Sequence, residues 1–331
     1  MSAPLLPAAQ HQPARVGYSD RHARGTSDHP RREMHLMHVV SASRRTDIPA
    51  FYMRWFMERV RQGFALFKHP VSPGLHEVSL RPEDVIGIVF WTRNAAPLIP
   101  FLDELELRGF GLACHYTIVD LPRVLDERTP SAVRAVQTFQ RLAERIGPNR
   151  VRWRYDPIVL CPLADRDYHR RTFERLARAL EGHTQDCLTS FVEHYRKVKR
   201  HFAGIEARTG IPMAEPCLEE KISLAQELAS IAAARGMRFL ACCTDEIVGG
   251  GVGKARCIDP ELISRWWPER AGPLARRPTR PECACVESRD IGAYDTCAHG
   301  CQYCYAVNDH PKARAYRRNH DPMSPCLGMQ R

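Results

Sequence analysis

Six apolar runs of strand length, most of them separated by amphipathic helical patterns, occupy the middle of the chain and leave few folds open to it. They fall at residues 38–43, 86–92, 112–118, 151–155, 187–192 and 237–242. Apolar side chains fill both faces of these runs, as they do in strands covered on both sides of a sheet. Asp47 is placed to cap a helix that reaches about Gln62, with Ile48, Tyr52, Trp55, Phe56 and Val60 on one side and Gly63 as its stop. Pro97 opens a second helix that ends at Gly109, and Thr129-Pro130 opens a third that carries Val136, Phe139, Leu142 and Ile146 to Gly147. Phe173, Leu176, Ala177 and Leu180 form a fourth stripe, and Ile222, Ala225, Leu228 and Ile231 a fifth. Strand then helix, repeated, predicts an α/β fold with a parallel sheet. An open doubly wound sheet satisfies the pattern, but no GxGxxG follows the first run, which lowers its dinucleotide-binding version. The reading adopted is a partial or full (β/α) barrel with a C-terminal cysteine-rich segment.

The outer parts of the chain differ in character. Residues 1–35 are rich in Pro, Ala, His and Arg without apolar periodicity, and residues 309–331 are polar and aperiodic, so both are expected to be disordered tails. Met34 and Met37 stand just before the first run and mark alternative starts. Between the tails we expect the barrel-like domain at 36–265, a Pro/Arg-rich linker at 266–282 and a cysteine-rich iron–sulfur segment at 283–308. The net charge of +10 is half accounted for by the tails, which carry five Arg against two Asp and one Glu at one end and five Lys or Arg against two Asp at the other. Total charge therefore does not establish a nucleic-acid groove. No run of eighteen apolar residues occurs, which excludes a membrane-spanning helix.

Cysteine is the anomaly. The chain has 13, and five of them fall between residues 283 and 304. With no secretory signal, an odd count so clustered points to metal or iron–sulfur chemistry in a reducing cytoplasm. Residues 297–305 read CAHGCQYCY, placing Cys297, Cys301 and Cys304 on one short loop. Three thiolates can hold three irons of a cubane cluster and leave the fourth open to a chelating ligand. A tetrahedral zinc site would take a fourth protein ligand, for which His299 or Cys326 is available.

That spacing, with Tyr303 before the last cysteine, resembles the signature of radical S-adenosylmethionine enzymes, and the run GCQYCYA at 300–306 is similar to their spore photoproduct lyase branch. The resemblance implies a partial (β/α) barrel and a [4Fe–4S] cluster on Cys297, Cys301 and Cys304. It further implies S-adenosylmethionine bound at the open iron and cleaved to a 5′-deoxyadenosyl radical, Tyr303 near the adenine, and an electron donor such as flavodoxin or ferredoxin. In most such enzymes the motif follows the first strand, whereas here it lies behind six; a circularly permuted barrel accommodates this. A second resemblance spans most of the chain. SASRRTDIPAFY at 41–52, FWTRN at 90–94, RYDPI at 154–158 and CVESRDIG at 285–292 resemble a bacterial family of domains of unknown function whose members end in this cysteine segment.

A second metal site, an auxiliary cluster or zinc, is expected at Cys243, Cys257, Cys283 and Cys285; the bland alternative makes Cys242 and Cys243 end-of-strand core. If the sheet closes into a barrel, residues just after the strands face the site. Arg44, Asp47, Arg154 and Asp156 are then candidate catalytic groups, since Arg with Asp can clamp a carboxylate or phosphate while the acid takes an amine or hydroxyl. Asn94 is a candidate cofactor contact. Asp47 also fits a plain helix cap, and Arg154 with Asp156 a structural ion pair. Trp266-Trp267 beside arginines can stack a nucleobase or dock the linker. Two further functions stay open: a nucleic-acid-binding or repair protein with a structural cluster, and a zinc protein without catalysis.

Overall fold

The computed structural model describes residues 37–69 and 74–329; the expected tail at 1–35 lies outside them. The described residues form ten strands: β1 (His38–Ala42), β2 (Phe64–Lys68), β3 (Leu75–Ser79), β4 (Val85–Thr92), β5 (Leu112–Thr117), β6 (Val151–Ile158), β7 (Asp186–Phe191), β8 (Arg238–Ala241), β9 (Val252–Lys254) and β10 (Arg289–Asp290). The helices are α1 (Ile48–Phe51), α2 (Met53–Gln62), α3 (Leu102–Leu107), α4 (Ala132–Ile146), α5 (Arg166–Leu180), α6 (Arg196–Thr209), α7 (Leu218–Ala233), α8 (Pro260–Trp266) and α9 (His310–Asn319). Eight strands make one sheet in the order β10-β1-β4-β5-β6-β7-β8-β9, every pair parallel, while β2 and β3 form a separate antiparallel hairpin. The α/β class and the parallel (β/α) repeat are as the sequence predicts. The ladder runs from β10 at one end to β9 at the other.

Period-two alternation assigns each strand residue to one of two cores. Val40, Phe90, Cys114, Trp153 and Cys187 pack with the helix residues Trp55, Phe56, Phe139, Phe173 and Leu228. Their neighbours Val39, Val89, Ala113 and Leu188 face the other way and pack with Ile258, Ile263, Trp266, Trp267, Cys283 and Cys285. The second face is therefore covered by the stretch 255–286, which contains the expected linker at 266–282. Trp266 and Trp267 are 6% and 3% exposed, which removes them as nucleobase platforms. The indole of Trp267 lies against Gly87 and Gly111, where an added Cβ would meet it at 2.4 and 1.9 Å. No larger residue fits at either position while the tryptophan stays.

Two expectations are corrected. The helix expected over 47–62 is two helices, because Tyr52 leaves the helical region at φ −132°. Residues 309–329 are not a disordered tail. Asp309 caps α9 through Lys312 N, Ala313 and Tyr316 are buried on it, and in the following chain Ser324 O accepts from Trp55 Nε1 at 2.8 Å and Pro325 O from Leu66 N at 2.9 Å. Buried contacts are too few in that sequence to show as a stripe. Among the described residues no helix is long and apolar enough to cross a membrane.

Gly111→Ala is expected to lose about 1–3 kcal/mol of stability by driving Cβ into the indole, whereas Gly272→Ala, where nothing lies within 4 Å, stays within about 0.5 kcal/mol. Urea midpoints of the two variants decide it; equal midpoints would show that Trp267 does not close this face.

Candidate metal centre

The cysteine loop begins where β10 ends. Asp290 sits opposite Ser41 in the parallel pair with β1, and its carboxylate accepts from Ser41 Oγ and Ser43 Oγ at 2.8 Å each and from Arg44 N at 2.8 Å. Parallel pairing sends the chain after β10 out at the same end of the sheet as the chain after β1. Cys297, Cys301 and Cys304 consequently arrive beside the residues that follow β1, β4 and β5.

Asp47 organises that meeting. It caps α1 through Ala50 N at 2.9 Å, so the plain-cap reading is correct, but the same carboxylate does more. Thr92 Oγ1 donates to it at 2.6 Å, Arg93 N at 2.7 Å, and His299 Nε2 lies at 2.7 Å. One buried acid therefore ties the end of β1, the end of β4 and the cysteine loop together. Asp126, on the loop after β5, is the second tie. It pairs with Arg93 Nη2 at 2.6 Å and accepts from Tyr303 OH at 2.6 Å, while Arg93 Nη1 also donates to the Tyr303 hydroxyl. Backbone bonds from Gln302 N to Leu125 O and from Arg128 N to His299 O, both 2.9 Å, zip the two loops together. Sequence reading missed Asp126, which sits in an irregular loop with no periodicity to mark it. Asp290 was missed too, although it lies inside a quoted motif.

The three cysteines are free, Cys301 is buried and its two partners are half-buried. Cys304 lies within electrostatic reach of both Cys297 and Cys301. Arg93 Nη1 approaches Cys301 Sγ at 3.6 Å, and Ala306 N donates to Cys304 Sγ at 3.3 Å. Burial pushes the Cys297 thiol up to about 12, with the Asp47 charge adding to it, and burial raises Cys301 and Cys304 as well. As bare thiols the three are held neutral, so thiolate character here requires a positive partner. Arg93 Nε and His299 Nδ1 are buried without a hydrogen-bond partner. An orphaned buried donor such as Arg93 Nε is rare, and on a side chain that reaches Cys301 it fits a group that brings acceptors. The thiol donors are of the kind an iron–sulfur cluster takes, but the three sulfurs do not stand around a common metal position. Of the alternative zinc ligands, His299 is engaged by Asp47, and the Cys326 thiol donates to Leu327 O.

The remaining candidates fall into a second group. Arg154 pairs with Asp156 at 2.6 Å, as the structural reading anticipates, and also donates to Cys257 Sγ at 3.1 Å. Arg44 and Arg154 lie over Trp91, 4.8 and 5.3 Å from its ring, and Trp91 stacks on His115 at 4.3 Å. Asn94 closes its own turn, its Oδ1 accepting from Ala96 N at 3.1 Å, and with Phe51 and His299 lines a groove of about 990 Å3. Cys242 Sγ and Cys257 Sγ are 3.2 Å apart. Hydrogen bonds from Cys242 and Cys285 hold the Cys257 thiol well below its ordinary range, with Arg154 assisting, and the Cys285 thiol is correspondingly pushed up. Cys242, outside the four favoured for a second site, lies with the sulfurs. Among the described residues no three or more His, Cys, Asp or Glu side chains stand around a common metal position.

A family model described as a domain of unknown function (DUF1848) matches residues 39–306, from β1 through the cysteine loop. No curated protein matches. A solved structure titled "Crystal structure of D-hydantoinase" is similar at TM-score 0.30 and 8% identity over 71% of this chain. This chain spans 44% of that one.

Asp126→Ala leaves the Arg93 guanidinium buried and unpaired and is expected to cost about 3–5 kcal/mol. Asp126→Asn, which keeps an acceptor for Tyr303, is expected to cost less. Denaturant unfolding of both variants tests the ordering; an alanine variant within about 0.5 kcal/mol of the parent would remove Asp126 as the second tie.

Proposed function

The chain belongs to the DUF1848 family, and we propose that it is an iron–sulfur enzyme of radical S-adenosylmethionine type, acting on a substrate yet to be assigned. One observation carries the reading. Cys297, Cys301 and Cys304 share a single loop, within electrostatic reach of one another though not yet gathered around one metal position, at the end of a parallel sheet where such folds build their sites, held there by Asp47 and by the Arg93–Asp126 pair. The late position of the motif in the chain agrees with the reading once the sheet order is considered. The loop follows β10, the edge strand next to β1, so in space it follows the first strand of the ladder, as a permuted member of that superfamily would have it.

A [4Fe–4S] cluster on these three thiolates would leave one iron open to the amine and carboxylate of S-adenosylmethionine and would supply the electron for its reductive cleavage. The chain's own residues have definite tasks around it. Arg93 and the backbone N–H of Ala306 donate to sulfur, which disperses negative charge. His299, fixed through Nε2 by Asp47, keeps its Nδ1 buried and free to meet a partner. Tyr303 turns its hydroxyl into the Arg93–Asp126 pair, which fixes its ring in the loop. The expected neighbourhood of Tyr303 and the adenine, and the need for a flavodoxin- or ferredoxin-type donor, remain parts of this proposal.

After anaerobic loading with iron and sulfide, the parent is expected to hold about four more irons per chain than a Cys297/Cys301/Cys304→Ala variant. Under strong reductant it is expected to release 5′-deoxyadenosine from S-adenosylmethionine, and the variant is not. A well-loaded triad that leaves S-adenosylmethionine intact would end the radical reading, and zinc alone at the triad would end the cluster.

A further inference from the structure

We infer that Cys242, Cys243, Cys257, Cys283 and Cys285 build a second, separate thiolate-metal centre on the face of the sheet covered by the segment after β9. The inference does not rest on the function proposed for the triad. These residues come from three places: the end of β8, the turn after β9 and the stretch before β10. Their sulfurs nevertheless close a ring. Cys242 Sγ lies 3.2 Å from Cys257 Sγ, and thiol–thiol interactions run on from Cys257 to Cys285, Cys283 and Cys243 and back to Cys242. All five are free, and all but Cys243 are buried.

Three independent features separate this ring from an apolar core that happens to contain cysteine. The first is backbone shape. Successive residues leaving a strand point to opposite faces, yet Cys242 and Cys243 both join the ring, because Cys243 adopts φ 53°. A non-glycine residue accepts that left-handed conformation only when its surroundings enforce it. The second is a set of donors aimed at sulfur: Ile258 N to Cys285 at 3.4 Å, Thr279 Oγ1 to Cys283 at 3.5 Å and Arg154 Nη1 to Cys257 at 3.1 Å. Such outer contacts orient thiolate ligands and tune their charge. The third is charge. Arg154 is 7% exposed, and Arg280 lies in the field of Cys242 and Cys243. Each guanidinium also pairs with one carboxylate, Arg154 with Asp156 and Arg280 with Glu193, and four thiolates on a divalent ion would place a further net charge of about −2 beside both.

Sulfur-only ligation selects zinc or an iron–sulfur cluster, which share this ligand chemistry. Thiolates on a tetrahedral ion with bonds near 2.3 Å stand about 3.8 Å apart. Cys242 and Cys257 are closer than that, so metal entry moves this pair apart by about half an ångström, and the five sulfurs as they stand are not gathered around one metal position. Five sulfurs supply the four that either group needs.

The test uses the full chain. In the Cys297/Cys301/Cys304→Ala variant, Co2+ is expected to titrate to one equivalent with thiolate-to-cobalt charge-transfer absorption. Separate loading with zinc, or with iron and sulfide, then shows which native group the ring retains. In parallel, the otherwise unsubstituted chain is expected to take one equivalent of Co2+ more than Cys283→Ser/Cys285→Ser, a comparison that holds if the triple variant does not fold. A folded triple variant without charge-transfer absorption would overturn the inference. So would equal stoichiometry for the unsubstituted chain and the double variant. Loss of metal at the triad alone leaves this second centre standing, and the reverse outcome leaves the triad standing.

Discussion

The docking of Asp290 onto the end of β1 is the interaction on which the rest depends. A single carboxylate accepts from Ser41, Ser43 and the backbone of Arg44, and from Gly292 N at 3.0 Å. Hydrogen bonds to a charged acceptor contribute about 1.5–3 kcal/mol each, and these join parts of the chain 249 positions apart. The backbone must come close for this to happen: a Cβ at Gly292 would lie 1.9 Å from Ser43 Oγ. With the strand seated, the direction of a parallel pair decides where the cysteine loop emerges. The triad owes its place at the sheet end to that pairing rather than to its own sequence.

The same docking explains why the sheet has two unlike faces. One is covered by helices in the ordinary manner of parallel sheets. The other is covered by a single excursion of chain, from Ala255 to Val286, that starts after β9 and must return to reach β1. On its way it wedges Trp267 against two glycines, and it carries Cys257, Cys283 and Cys285 past the end of β8. The two groups of sulfurs are thus products of one path. The residues between them, Arg44, Trp91, His115 and Arg154, form a stacked cationic and aromatic layer.

Six strands were legible because each is a dense apolar run; five form within one residue of the expected bounds, and β6 runs three residues further, to Ile158. The strands that escaped notice are short or half-exposed: β9 has three residues, β10 two, and the β2–β3 hairpin is partly open to solvent. Their pairing is set by the tertiary fold, which local pattern does not encode. Helix α6 buries Val198, Phe202 and Ile205 amid a strongly basic run, so its stripe is narrow. At the site, the cysteine spacing was readable because ligand geometry imposes it on sequence. Asp47 was readable only as a cap, and the roles of Asp126, Asp290 and Cys242 appear only when distant segments meet.

The central claim is that the loop tied down by Asp47 and Asp126 holds iron and sulfide on Cys297, Cys301 and Cys304. An anomalous difference map collected at the iron edge from crystals of anaerobically loaded protein tests it most directly. The account predicts a peak of cluster size bounded by those three sulfurs, with Arg93 and His299 beside it. An iron-edge map empty at the triad, in crystals of protein shown to contain iron, would contradict it.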